Sequence, residues 1–279
     1  MPNWDTSLAV SVCPFFACIL IFILHLTLRS PHVSAKTYSH ASPDDVIQVR
    51  RILLKHFPPE LANLILDEAE YWPRIVATRR ERVIVDTAHS ENSDASLHYL
   101  IMPPIPPTGG LRVKRVEFFL MSHDQGWSNT PEFHGTYEGS FTWFEAAILR
   151  PRYEEDNPPQ PRLTPGWANG FGLFSAPPPP PPPCLTDFIQ IENPNADTGC
   201  WHIQTNRCAH GESLIHYVVW GVGGVAQRPR PCNGPGSGDG KGFIDMLESG
   251  DRIAVIARAK FPRWVNFVDT GYVGVFYAV

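Results

Sequence analysis

From about Arg82 onward, apolar and polar side chains alternate with a period of two, and no long helical pattern separates the alternating runs. This constrains the fold more than any other feature of the chain. A period of two puts successive side chains on opposite faces of a strand. In "LRVKRVEFFLM" it sets Val116, Phe118 and Leu120 against Arg115 and Glu117. In "FTWFEAAIL" it sets Phe141, Trp143, Glu145 and Ala147 against Thr142, Phe144, Ala146 and Ile148. "RVIVDTA", "FIQIEN", "WHIQT", "SLIHYVVW", "RIAVIARA" and "YVGVFYAV" also read as strands. Strands without crossover helices pair antiparallel, because a parallel neighbour needs a long return connection. The expectation is a mainly β protein, with an antiparallel, jelly-roll-like β-sandwich over residues 79–279. A short helix is expected at "KGFIDMLESG".

The chain before residue 79 reads as helical. Ser42 is placed as an N-cap, with Pro43 in the first turn and Asp44 and Asp45 facing the helix dipole. Val46, Val49, Ile52 and Leu53 recur at helical spacing. Pro58-Pro59 ends that helix and begins another, whose apolar face is Leu61, Leu64, Ile65 and Ala69. This pair is assigned to residues 41–78. "FPPELANLILDEAEYW" resembles the opening helix of an F-box. That likeness implies an adaptor acting through residues 59–72; an amphipathic helix packed on its own domain is the plainer reading.

Residues 8–28, "LAVSVCPFFACILIFILHLTL", carry no charge, and about 20 such residues span a bilayer core. A single transmembrane helix, with an anchor and juxtamembrane segment over residues 1–40, is the first reading. Val33-Ser34-Ala35 resembles a signal cleavage site, but the preceding region has Asp5 and no Lys or Arg. A cleaved signal, giving a secreted protein, and a mis-called gene start are the alternatives. Arg29, Lys36, Arg50, Arg51 and Lys55 follow the span, which places the main domain in the cytosol. No N-glycosylation acceptor occurs, which fits that side.

Two segments interrupt the strands. Residues 151–183 are proline-rich and end in seven consecutive prolines; residues 227–242, "QRPRPCNGPGSGDGKG", read as a flexible loop. Neither has the apolar content to order itself. The polyproline run, with Pro177, Pro180 and Pro183, offers an extended helix to a protein partner with a polyproline-binding groove, or serves as a spacer. The net charge of -5 argues against nucleic-acid binding. The six cysteines show no zinc spacing, and no metal or other cofactor is expected. Cys200 and Cys208 read as free thiols, or as a hairpin bridge in an oxidising compartment.

Chemistry concentrates in "SHDQGWSNTPEFHGTYEGSFTWFE", residues 122–145. His123 and Asp124 with Glu145 form a candidate acid–base set for a hydrolase. Against it, neighbours in a strand point to opposite faces, and Asp124-Gln125-Gly126 also reads as a turn. No nucleophile elbow, phosphate loop or dinucleotide fingerprint occurs. Trp127, His134, Tyr137 and Trp264 lie near strand ends and are the candidate ligand contacts. Lys260 and Arg263 flank Trp264 as an anion- or headgroup-contacting edge.

"SHDQGWS", "GTYEGSFTWFE", "GDRIAVIARAKFPRWVNFV" and "YVGVFYAV", in that order, resemble a group of uncharacterised proteins of filamentous fungi. "LLKHFPPELANLILDEAEYWPR" is similar too. The resemblance implies a shared fold and carries over no catalytic residue. The functional expectation is a membrane-tethered recognition module without catalysis. Its partner is a protein or, alternatively, a glycan.

Overall fold

The structure, a computed structural model, describes residues 41–90, 92–107, 112–152, 185–221 and 233–279. Two helices come first, α1 (Pro43–Leu53) and α2 (Pro59–Glu68). Ten strands follow among the described residues: β1 (Arg74–Arg79), β2 (Val83–Asp86), β3 (Asp94–Ile101), β4 (Arg112–His123), β5 (Thr142–Pro151), β6 (Phe188–Ile191), β7 (Trp201–Thr205), β8 (Leu214–Gly221), β9 (Arg252–Lys260) and β10 (Val265–Ala278). They form two antiparallel sheets. The first has the order β1-β10-β4-β8, with β2 also on β10; the second has the order β3-β9-β5-β6, with β7 also on β5. In each sheet one long strand is flanked by two short ones laid end to end. Thus β1 pairs residues 271–276 of β10, and β2 pairs residues 265–268.

The core lies between the sheets and is filled by the apolar half of each alternation. Val116, Phe118 and Leu120 are fully buried, as are Phe144, Ala146 and Ile148. Phe118, Trp220 and Phe243 meet edge to face at 4.7 and 4.9 Å. A small second cluster, Ala147, Leu149, Cys200, Ala254 and Ile256, lies on the outer face of the second sheet. A two-sheet, β-sandwich-like body is therefore what the alternation dictates.

Ser42 and Asp45 form a capping box on α1. The helical pair is shorter than residues 41–78, because residues 74–79 are strand β1. Its half-buried residues show no two-fold pattern, so periodicity did not reveal it. Val46, Ala62 and Leu66 are the buried residues of the pair. Asp67 and Glu70 bind Lys114 and Arg115 of β4 at 2.9 and 2.7 Å. At that same end, the Tyr277 amide of β10 donates to the Pro73 carbonyl.

Residues 233–242 correct the expectation of a flexible loop over 227–242. The Asn233 side chain donates to and accepts from the Val219 backbone, as a neighbouring strand would. The indoles of Trp220 and Trp201 donate to the Gly238 and Lys241 carbonyls, each at 3.0 Å. Order is supplied by partners distant in sequence, not by the loop's own apolar content. The expected helix at residues 241–250 is one 3-10 turn, Ile244–Met246.

No helix among the described residues is long and apolar enough to cross a membrane. Residues 8–28 lie outside the described residues, as do Pro177, Pro180, Pro183 and residues 227–232. Cys200 and Cys208 are buried free thiols, so no bridge joins them.

Candidate functional site

The residues expected to act together are divided between two sheets. His123 ends β4, where its ring stacks on Phe267 at 4.6 Å and its Nδ1 lies 2.6 Å from the Asp124 carbonyl. Asp124 is fully buried. Its carboxylate accepts the amides of Gly126, Ala209 and His210 at 2.8, 2.5 and 2.9 Å, tying the end of β4 to the loop after β7. Burial pushes its carboxyl above the usual range. Glu145 is in the second sheet, paired in register with His202 and Ile256. It accepts from Trp143 Nε1 and Thr198 Oγ1 at 3.0 Å and from Arg258 Nε at 2.8 Å. No hydrogen bond among the described residues joins Glu145 to His123 or Asp124. The hydrolase reading needed these three groups to converge in a cleft. Instead, Asp124 holds backbone, and Glu145 closes an ion pair.

The candidate binding residues fare differently. Gln125 links two of them. Its Nε2 donates to the Trp127 carbonyl at 2.6 Å, and its Oε1 accepts the Val265 amide at 3.1 Å, next to Trp264. Trp127 is 44% exposed. Trp264 packs edge to face on Phe141 at 5.2 Å, and Phe141 packs on Phe261 at 4.6 Å. His134 is exposed on the same loop, with its Nε2 at 2.9 Å from the Ser128 carbonyl. Tyr137 departs from the group. It is half-buried and faces His216 at 6.3 Å and the Gly236 backbone.

The hairpin between β9 and β10 carries Phe261 and Arg263 at positive φ, 71° each. This left-handed conformation costs on the order of 1–3 kcal/mol per non-glycine residue, so something must hold it. Thr87 does so, its hydroxyl directed at the Phe261 and Trp264 carbonyls (2.8 and 3.3 Å), while Ser93 accepts the Phe261 amide. The result is an aromatic rim, with exposed Lys260 and Arg263 beside the rings.

A second feature was not foreseen. A cleft of about 410 Å³ opens on the outer face of the second sheet, with Glu145, Asn195, Thr198, His202, Asp239 and Lys241 in its lining. Cys200 and His202 share that lining, but burial raises the thiol above its ordinary range. His202 Nε2 lies 3.1 Å from both the Gly236 carbonyl and Thr205 Oγ1. The pair therefore presents no activated nucleophile. The glycines of "GSGDGKG" were the only signal of this wall in the sequence, and they read equally as flexibility. No group of three or more metal-ligating side chains occurs among the described residues.

No protein-family model, curated protein or solved structure matches this chain. The site is therefore read from its own geometry.

Proposed function

We propose that this protein is a membrane-tethered recognition module whose aromatic rim binds a protein partner. The observation that carries this reading is the rim's construction. Exposed Phe261 and Phe141 pack together at a hairpin in a strained conformation that carries two cations, and the backbone of exposed Trp127 is tied through Gln125 to the start of β10. Aromatic side chains with an adjacent Arg are the residues that dominate protein interfaces. Their fixed geometry lowers the entropy lost on binding.

The tether is residues 8–28, read as a single transmembrane helix. The helical pair sits where β10 ends, and the rim sits where β10 begins. A strand of 14 residues sets those ends on the order of 40 Å apart. The jelly-roll-like connectivity and a cytosolic main domain complete the proposal, and Pro177–Pro183 supplies a second contact for a polyproline-binding groove. The test is affinity capture with the full chain, the Phe261→Ala/Trp127→Ala variant and a chain lacking residues 177–183. A partner retained by wild type and lost by the double variant is expected; equal capture by both overturns the rim reading. Digestion of a tag at Val279 in intact cells overturns the orientation, and supports secretion if residues 8–28 are absent from the mature chain.

A second reading has an observation of its own. Leu61, Leu64 and Ile65 are 41, 53 and 37% exposed, as the F-box-like adaptor requires of residues 59–72. Capture that survives the rim variant but is lost on Leu64→Lys favours the adaptor.

A further inference from the structure

The cleft on the second sheet has two locked walls. Across from Glu145 stands the turn of residues 238–241, pinned at its ends by the Trp220 and Trp201 indoles. Those rings are almost fully buried, at 1 and 3% exposure. The turn lies so close to its neighbours that no side chain fits at its glycines. A Cβ on Gly238 would sit 1.9 Å from the His202 carbonyl oxygen, and one on Gly240 would sit 2.1 Å from the Trp220 ring. Asp239 Oδ1 accepts the Lys241 amide at 3.0 Å, which fixes the carboxylate at the mouth. The other wall is the turn after β6. Asn193 Oδ1 accepts the Asn195 amide there, and Asn193 Nδ2 donates to the Cys200 carbonyl. Asn195 is left exposed at the opposite lip. Glu145, 4% exposed, is the most deeply buried charge of the lining, and Arg258 neutralises it.

We infer that this cleft binds a neutral saccharide through Asn195, Asp239 and the Glu145–Thr198 pair. A sugar hydroxyl donates and accepts at once, so it suits a lining that mixes amide, hydroxyl, carboxylate and imidazole groups. The lining's charges nearly cancel, Glu145 against Arg258 and Asp239 beside Lys241, so no one-sign field selects an ion. Its polar walls would leave an apolar ligand facing unpaired groups. Its volume falls within the roughly 300–1,000 Å³ of small-molecule sites. Rigid walls matter because weak polar contacts yield affinity only where little ordering is needed. This site shares no residue with the rim and does not rest on the partner reading.

The test uses the full chain in a detergent without a sugar headgroup. Cellobiose, maltose, mannobiose and N,N′-diacetylchitobiose are titrated while amide hydrogen exchange is read by mass spectrometry. At least one sugar should slow exchange in residues 193–202 and 236–242 saturably, leaving the rim hairpin unchanged. Asn195→Ala and Asp239→Ala should each raise the midpoint about tenfold, as loss of a hydrogen bond of about 1.4 kcal/mol requires. Ile215→Ser, on an exposed strand position, should leave it in place. Two variants are used so that misfolding of one leaves the other informative. No protection with any of the four sugars, protection confined to the rim, or midpoints unmoved in both variants overturns the inference.

Discussion

His216 shows how one buried residue contributes to the response of the protein to acid. Its side chain is buried on the core side of β8, its Nε2 has no hydrogen-bond partner, and Tyr137 meets its ring edge on. Burial lowers its pKa from 6.5 to about 4. A depressed histidine favours the fold while neutral. Its contribution is complete above pH 6.5 and is lost as the pH falls from there to about 4. The full loss is about 3 kcal/mol by proton linkage. His216→Phe should therefore flatten denaturant-measured stability across that window, relative to wild type. An unchanged slope in the variant means that His216 is not the group. His98, also lowered by burial, contributes in the same direction in both proteins, so the difference isolates His216. Gly240 gives a second test. At φ +62° and against Trp220, Gly240→Ala should cost about 3 kcal/mol or more. Gly234→Ala, with nothing within 4 Å of the added carbon, should cost little. Equal midpoints for the two variants would show that the turn is not clamped. At this scale the sequence was only partly legible. Asp124 and Gly126 were readable as a turn, because the pattern is local. The clamp on residues 238–241 was not, because its donors are Trp201 and Trp220.

At the scale of elements, alternation located the strands wherever one face met the core and the other did not. It was silent on β1, whose residues are nearly all half-buried, and it fails within β3, where a bulge between His98 and Leu100 leaves Tyr99 and Leu100 buried in succession. On α2 the stripe and the packing diverge. Three large aliphatics, Leu61, Leu64 and Ile65, face outward, and only Ala62 and Leu66 are buried. A helical wheel finds the most apolar face, but it does not say which face the sheet will take. Asp67 in its last turn and Glu70 just beyond it reach Lys114 and Arg115 on the side that meets the sheet. Leu66→Ala should thus cost about 2–5 kcal/mol of stability, and Leu64→Ala less than about 0.5 kcal/mol. Chemical denaturation of both variants checks the contrast. A larger loss at Leu64 would mean that the face is covered in the folded protein.

For the molecule as a whole, the question is what makes two separately paired sheets fold as one body. Apolar contact between them is non-directional and fixes no single register. A buried polar network supplies the direction. Asn206, in the loop after β7, accepts from Ser122 of β4 at 2.7 Å and donates to Thr142 of β5 at 3.0 Å and Asn266 of β10 at 2.9 Å. All four side chains are fully buried. Asn266 in turn donates to the carbonyls of Trp143 and Arg258, so it crosses back to the second sheet. Removing Asn206 would strand three partners in a dry interior, each at about 1–3 kcal/mol. Asn206→Ala should then cost well over the about 1 kcal/mol of a single ordinary hydrogen bond. The sharper expectation concerns coupling. Once Asn206 is gone, Ser122 has already lost its partner, so Ser122→Ala should cost less in that background than in wild type. A double-mutant cycle should give an interaction energy of about 1–3 kcal/mol between residues on different elements. Additive losses would mean that the network only fills space, and that packing alone holds the sheets in register.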